Sequence, residues 1–132
     1  GIFPGGTVST SAKPFSRPLD PTWRAFTAKM VAKSNATMVP IFFEGHTSRL
    51  FQLASHLHFT LRMGLLIKEF KAKTDKPVPV VIGQPLPAYE LQARRTDTGA
   101  MMRYLRQQTY ALSTKPLDLD AQGFEFENRY KN

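Results

Sequence analysis

Apolar positions along the chain change period several times, and each change predicts an element. Gly1–Phe3 reads as the end of a strand, and residues 5–17, rich in Gly, Ser and Thr, read as a loop. Asp20-Pro21 offers a helix start, with Asp as the cap and Pro in the first helical position. A helix over 21–33 places Trp23, Phe26, Met30 and Thr27 on one face and Lys29 and Lys33 away from it. Residues 36–43 hold a nearly continuous apolar run, Met38, Val39, Ile41, Phe42 and Phe43, as expected for a strand buried on both faces of a parallel sheet. Pro40 interrupts that run and implies an edge, a bulge or a strand end, because proline lacks a ladder donor.

Two helices follow, a short one over 49–56 and a longer one over 59–73. Leu61, Leu65 and Leu66 of the second are expected inside, and Lys68, Lys71 and Lys73 suit its negative C-terminal end. Residues 76–82 alternate Val78, Val80 and Ile82 with Pro77, Pro79 and Val81 and predict another strand. A last helix over 97–113 has Met101, Tyr104, Leu105 and Ala111 as its inward positions, and the segment after Lys115 reads as a loosely held tail. Strands alternating with helices predict an α/β fold: a partial, mostly parallel sheet flanked by helices. With two strands and a stump, such a sheet is incomplete. The expected cover is the N-terminal remainder of the protein or a self-association partner.

Composition narrows the chemistry. The 132 residues suit one modest domain, and 42% hydrophobic content argues against disorder. With no cysteine, disulfides and thiol-based sites are excluded. Eighteen Lys and Arg against ten Asp and Glu leave +8, which favours phospholipid headgroups, nucleic acid or a phosphorylated carrier, or else marks a solvated basic surface. The most apolar stretch, 50–67, contains Gln52, His56, His58 and Arg62 and is no membrane-spanning helix. It fits a core or a membrane surface. His46, His56 and His58 do not share a helical face, so no metal site is expected. Ser48-Arg49 reads as a helix cap followed by a surface cation.

Four blocks in order carry a resemblance. They are Phe3-Pro4-Gly5-Gly6-Thr7-Val8-Ser9, Met38-Val39-Pro40-Ile41, Phe43-Glu44-Gly45-His46-Thr47-Ser48-Arg49-Leu50-Phe51 and Val81-Ile82-Gly83-Gln84-Pro85-Leu86. Together they resemble the second half of a PlsC-like glycerolipid (lysophospholipid) acyltransferase, in the branch close to lyso-ornithine-lipid acyltransferases and hemolysin-like proteins. The resemblance covers residues 1–87, read as the C-terminal part of the acyltransferase domain. Residues 88–132 are left as a helical C-terminal extension and tail.

The resemblance implies transfer of a fatty acyl group from acyl-CoA or acyl-ACP to a lysolipid hydroxyl at the cytoplasmic face of the bacterial inner membrane. No bound cofactor is implied. The implied partners are the lysolipid acceptor, the acyl thioester donor and an anionic membrane surface. Phe3, Pro4, Gly5, Gly6, Thr7, Ser9, Val39 and Pro40 would line the acceptor side.

This chain departs from the family at two positions of its first block, where Gly5 replaces Glu and Val8 replaces Arg. The lost Arg is a natural bidentate phosphate ligand. Either the acceptor lacks a glycerol phosphate, or Arg17, Arg24 or Arg49 supplies the charge. The family's His-x-x-x-x-Asp pair, general base and orienting carboxylate, is also missing: Phe51, Leu61 and Met63 stand five residues after the three histidines. The pair is expected upstream of Phe3, so this chain alone is expected to be inactive.

The rival reading is a non-catalytic basic α/β module for nucleic acid or anionic membrane. Phe70-Lys71, Arg103-Tyr104 and Arg129-Tyr130 interleave rings with cations, as nucleic-acid surfaces do. No nucleic-acid motif of known mechanics accompanies them, which leaves nucleic acid the less favoured partner.

Overall fold

A computed structural model describes residues 1–125. The element order is β1 (Thr10–Ser11), β2 (Pro18–Leu19), α1 (Ala25–Lys33), β3 (Ile41–Phe43), α2 (Arg49–Leu57), α3 (Phe59–Lys73), β4 (Val80–Ile82), α4 (Ala88–Ala93) and α5 (Thr98–Tyr110). This is a small α/β protein whose described strands form two two-stranded sheets, β1–β2 and β3–β4, both antiparallel. The α/β expectation holds, but the described strands show no parallel pairing. A continuous apolar run carries no information on strand direction, and here Ile41 and Phe43 are exposed, so the run does not mark burial on both faces either. Nor do Gly1–Phe3 form a strand.

The chain divides into two compact units. The first comprises Gly1–Gly6, Trp23–Glu44 and Pro79–Ala121; the second comprises Thr7–Thr22, Gly45–Val78 and Gln122–Asn132.

In the first unit β3 pairs with β4 through Ile41–Ile82, Phe42–Val81 and Phe43–Val80. Irregular backbone continues the ladder at both ends. Glu44 N–H donates to Pro79 O at 2.9 Å, Gly83 N–H to Pro40 O at 2.9 Å, and Leu86 N–H to Met38 O at 2.8 Å. Pro40 stands just before β3, where only its carbonyl is needed.

Helix α5, capped by Asp97 accepting from Ala100 N–H at 2.8 Å, packs on α1 and β3. Its Tyr110 ring meets Trp23 and Phe42 edge-on, at centroid distances of 6.3 and 5.8 Å. Such pairs add about 0.5–1.5 kcal/mol each beyond area burial.

Helix α1 starts at Ala25 rather than at Pro21, and it turns Thr27, Ala28 and Val31 inward while Phe26 and Met30 face out. Small residues let helices approach closely, so this face wins over the larger stripe read from spacing. Within the described part of the expected tail, residues 119–121 are held by hydrogen bonds. Arg106, buried over the Tyr110 ring, donates to Leu119 O at 2.8 Å and to Ala121 O.

In the second unit β1 lies against β2, and α2 packs on α3 and β1. Ser48 caps α2, accepting from Phe51 N–H at 3.2 Å, and Phe51 is fully buried. Residues 122–124 lie along the β1–β2 pair, with Gly123 N–H donating to Asp20 O at 2.9 Å and Phe124 N–H to Thr10 O at 3.1 Å. Of the inward positions expected on α3, Leu61 is exposed and Leu65 and Leu66 are half-buried; Arg62 takes the buried place.

Candidate functional site

The first motif forms a tight turn because its residues demand one. Pro4 fixes φ in the second position, and Gly6 N–H donates to Phe3 O at 3.3 Å. Gly6 has φ +66°, a conformation costly for any residue with a Cβ. Arg24 then folds onto this turn. Its backbone N–H donates to Pro4 O at 3.1 Å, and a Cβ on Gly6 would lie 3.1 Å from the Arg24 Nε. A bare glycine leaves room for the guanidinium beside the turn. On the same unit the Phe3 ring lies 6.0 Å from that of Phe43, one residue past Phe42 in β3.

The other acceptor-side candidates in this unit are the half-exposed Val39 and the buried Pro40. Gly83 explains the conformation there. A Cβ on it would stand 2.8 Å from Pro40 Cγ and 3.1 Å from both δ carbons of Leu112. Residues 3–6 of the first sequence block therefore share a unit with the second and fourth blocks: Phe3 stacks on Phe43, the first residue of the third block, and residues 38–40 are bonded through backbone to 83–86. Gly5 is buried beneath the turn.

Thr7, Ser9, Arg17 and Arg49 belong to the second unit. Thr7 is exposed, Ser9 hydrogen-bonds its hydroxyl to the Asp20 carboxylate, Arg17 is half-buried, and Arg49 opens α2 on the surface. Of the three cations considered, Arg24 alone shares a unit with the turn.

Sequence reasoning missed a polar network that fixes the segment following the turn. Arg62 Nη1 donates to Thr10 Oγ1 at 2.8 Å and to Ser55 Oγ at 2.7 Å, and Nη2 donates to Val8 O at 3.2 Å. Its guanidinium also lies 4.9 Å from the Phe51 ring centroid. Burial draws the Arg62 pKa below its usual value, yet the group remains a cation, as arginine does throughout the accessible range. Gln52 accepts from Ser11 N–H at 2.8 Å and donates to Ser9 O and Thr47 Oγ1. The His56 Nε2 lies 3.4 Å from Ser11 Oγ, with the Phe124 ring beside it. A signal was present in the sequence: Arg62, Leu66 and Glu69 recur at helical spacing, and hydroxyls crowd residues 7–11.

The remaining candidates do not assemble into a site. His46 Nδ1 faces Thr47 O, and His58 accepts from Thr60 N–H. Among the described residues no three His, Asp or Glu side chains gather as a metal site. An open cavity of about 160 Å³ lies by the end of α1 and α4, lined by Val31, Ser34, Asn35, Leu91 and Arg95 among others, none of them a predicted site residue. Of the ring–cation pairs, Phe70 and Lys71 are exposed, Tyr104 is half-buried with Arg94 over its ring at 4.3 Å, and Arg129-Tyr130 lies outside the described residues.

No family model, curated protein or solved structure matches the chain.

Proposed function

We propose that this chain is the C-terminal part of a PlsC-like acyltransferase, which moves a fatty acyl group from acyl-ACP or acyl-CoA to the hydroxyl of a lysolipid at the cytoplasmic face of the bacterial inner membrane. The supporting observation is that the first four residues of the first resembling block, 3–6, lie in one unit with the second block, 38–41, and the fourth, 81–86, with Arg24 laid against the Gly6 turn. Arg24 then takes the place of the family's block arginine, which is Val8 here, and offers the acceptor headgroup a fork of N–H donors.

In the proposed reaction the lysolipid oxygen attacks the thioester carbonyl while a histidine takes its proton. Collapse of the tetrahedral intermediate breaks the C–S bond, and the thiol leaves carrying that proton. The proposal assigns the His-x-x-x-x-Asp pair to a part of the enzyme that this chain does not carry. In the whole enzyme the β3–β4 pair joins a larger sheet, which the resemblance makes mostly parallel.

The test is lipid analysis after gene deletion. Loss of a diacyl lipid with accumulation of its lyso form, restored by the full-length gene but not by its Arg24→Ala variant, is expected. An unchanged lipid profile defeats the reading.

A further inference from the structure

Helices α2 and α3 each turn an apolar stripe outward as well as an inner face inward. On α2 the inner face is Phe51, Ala54 and Ser55, all buried, and the outer stripe is Leu50, Leu53 and Leu57 at spacings of three and four. On α3 the inner face is Arg62, Leu66 and Glu69, while Phe59, Met63, Ile67 and Phe70 recur at four, four and three and are all exposed. The exposures are large for such side chains, 67% at Leu57, 65% at Ile67 and 76% at Phe70. An amphipathic helix of a water-soluble protein normally shows solvent its polar side.

The charges at the end of α3 indicate what meets these stripes. Lys68, Lys71, Lys73 and Lys76 are exposed within nine residues. The acids among them are Glu69, whose carboxylate accepts from the Ser48 N–H and hydroxyl, and Asp75. Lysines beside an outward row of Phe, Ile, Met and Leu match a surface that is anionic outside and hydrocarbon beneath. A second copy of the chain fits poorly, because it would bring a +8 molecule and the same lysine cluster against this one. No helix among the described residues is long and apolar enough to cross a membrane, so the contact is interfacial.

We infer that α2 and α3 dock on an anionic phospholipid surface, burying Leu50, Leu53, Leu57, Met63, Ile67 and Phe70 at the acyl boundary while Lys68 and Lys71 face the headgroups. The inference rests on the proposed membrane-lipid acceptor and identifies which surface reaches it.

The test is sedimentation of the 132-residue chain with phosphatidylcholine vesicles, with and without phosphatidylglycerol. Binding to the anionic vesicles is expected, reduced by high salt and weak on phosphatidylcholine alone. Ile67→Ser with Phe70→Ser, and separately Lys68→Glu with Lys71→Glu, should each lower partitioning about tenfold or more. Phe26→Ser, an exposed apolar change on α1, should not.

A Phe70→Trp variant provides a readout that removes no apolar group: its added emission shifts blue on anionic vesicles, whereas that of Phe26→Trp does not. Absence of vesicle binding, binding indifferent to the α3 variants, or a dimer that the Ile67/Phe70 pair converts to monomer overturns the inference. Vesicle binding with an unchanged lipid profile in the deletion strain sinks the acyl-transfer reading and leaves the docking surface standing; altered lipids without vesicle binding do the reverse.

Discussion

Gly83 sits so close to Pro40 that a Cβ on it would stand 2.8 Å from the proline Cγ. The two residues stand forty-three positions apart in the chain, joined by the Gly83 N–H to Pro40 O bond. Gly83→Ala should therefore destabilise by about 1–3 kcal/mol, the usual cost of overpacking. The pyrrolidine ring is tied to backbone and cannot swing aside, whereas Leu112 on the other side can change rotamer. Urea unfolding of Gly83→Ala with and without Pro40→Ala should show strong coupling; simple additivity would place the strain elsewhere.

Arg62 ties the segment 8–10 to α2 through three hydrogen bonds, two to Thr10 and Val8 and one to Ser55. Bonds to a charged donor are worth roughly 1.5–3 kcal/mol each and do not add fully, so Arg62→Met should cost about 2–4 kcal/mol. Arg62→Lys should recover little, because a compact ammonium cannot reproduce the planar fork that reaches Thr10, Ser55 and Val8 together. The midpoint of urea denaturation decides it, and a lysine variant as stable as the parent contradicts the role given to the fork.

Gly6→Ala should destabilise by about 1–2 kcal/mol through its left-handed backbone, and the added methyl also presses on Arg24 Nε. In the proposed acyltransferase, Arg24→Ala should raise KM for the acceptor more than it lowers kcat. A variant with unchanged KM removes Arg24 from the site.

A Cβ on Gly123 would fall 1.9 Å from the Leu19 carbonyl oxygen and 2.6 Å from that of Thr10. Both neighbours are backbone, so Gly123→Ala must release residues 122–124 from β1 and β2. Hydrogen exchange should show the amides of Gly123 and Phe124 losing protection while α5 keeps its own. Retained protection at both amides would mean the segment tolerates the methyl by another path.

Much of this was legible in the chain. Helix α3 occupies the residues its spacing assigned, 59–73, and α2 ends one residue beyond its expected end. The irregular backbone at 5–9 was legible from its Gly, Ser and Thr. Other features depended on contacts that no local pattern carries. Asp20-Pro21 has the composition of a helix start, yet Pro21 and Trp23 are buried and the helix begins after them. Strand direction between 41–43 and 80–82 is set by how the 36 residues between them travel, not by the apolar run itself. Arg62 was passed over because a single arginine in a helix ordinarily faces water. The hydroxyls of Thr10 and Ser55 and the Val8 carbonyl, two of the three contributed from more than fifty residues away, make its burial tolerable.

The division of the chain has a consequence for how the protein comes into being. The backbone changes unit after Gly6, Thr22, Glu44, Val78 and Ala121. A ribosome that has released α1 and β3 has not yet made β4 or α5, the partners those elements need. Neither unit can mature early, neither can be cut out as one uninterrupted stretch, and a stalled or clipped product loses part of both. Translation must reach Ala121 before the first unit has all its pieces and pass it for the second, so until then the growing chain exposes side chains such as Phe51 and Met101 that the finished units bury.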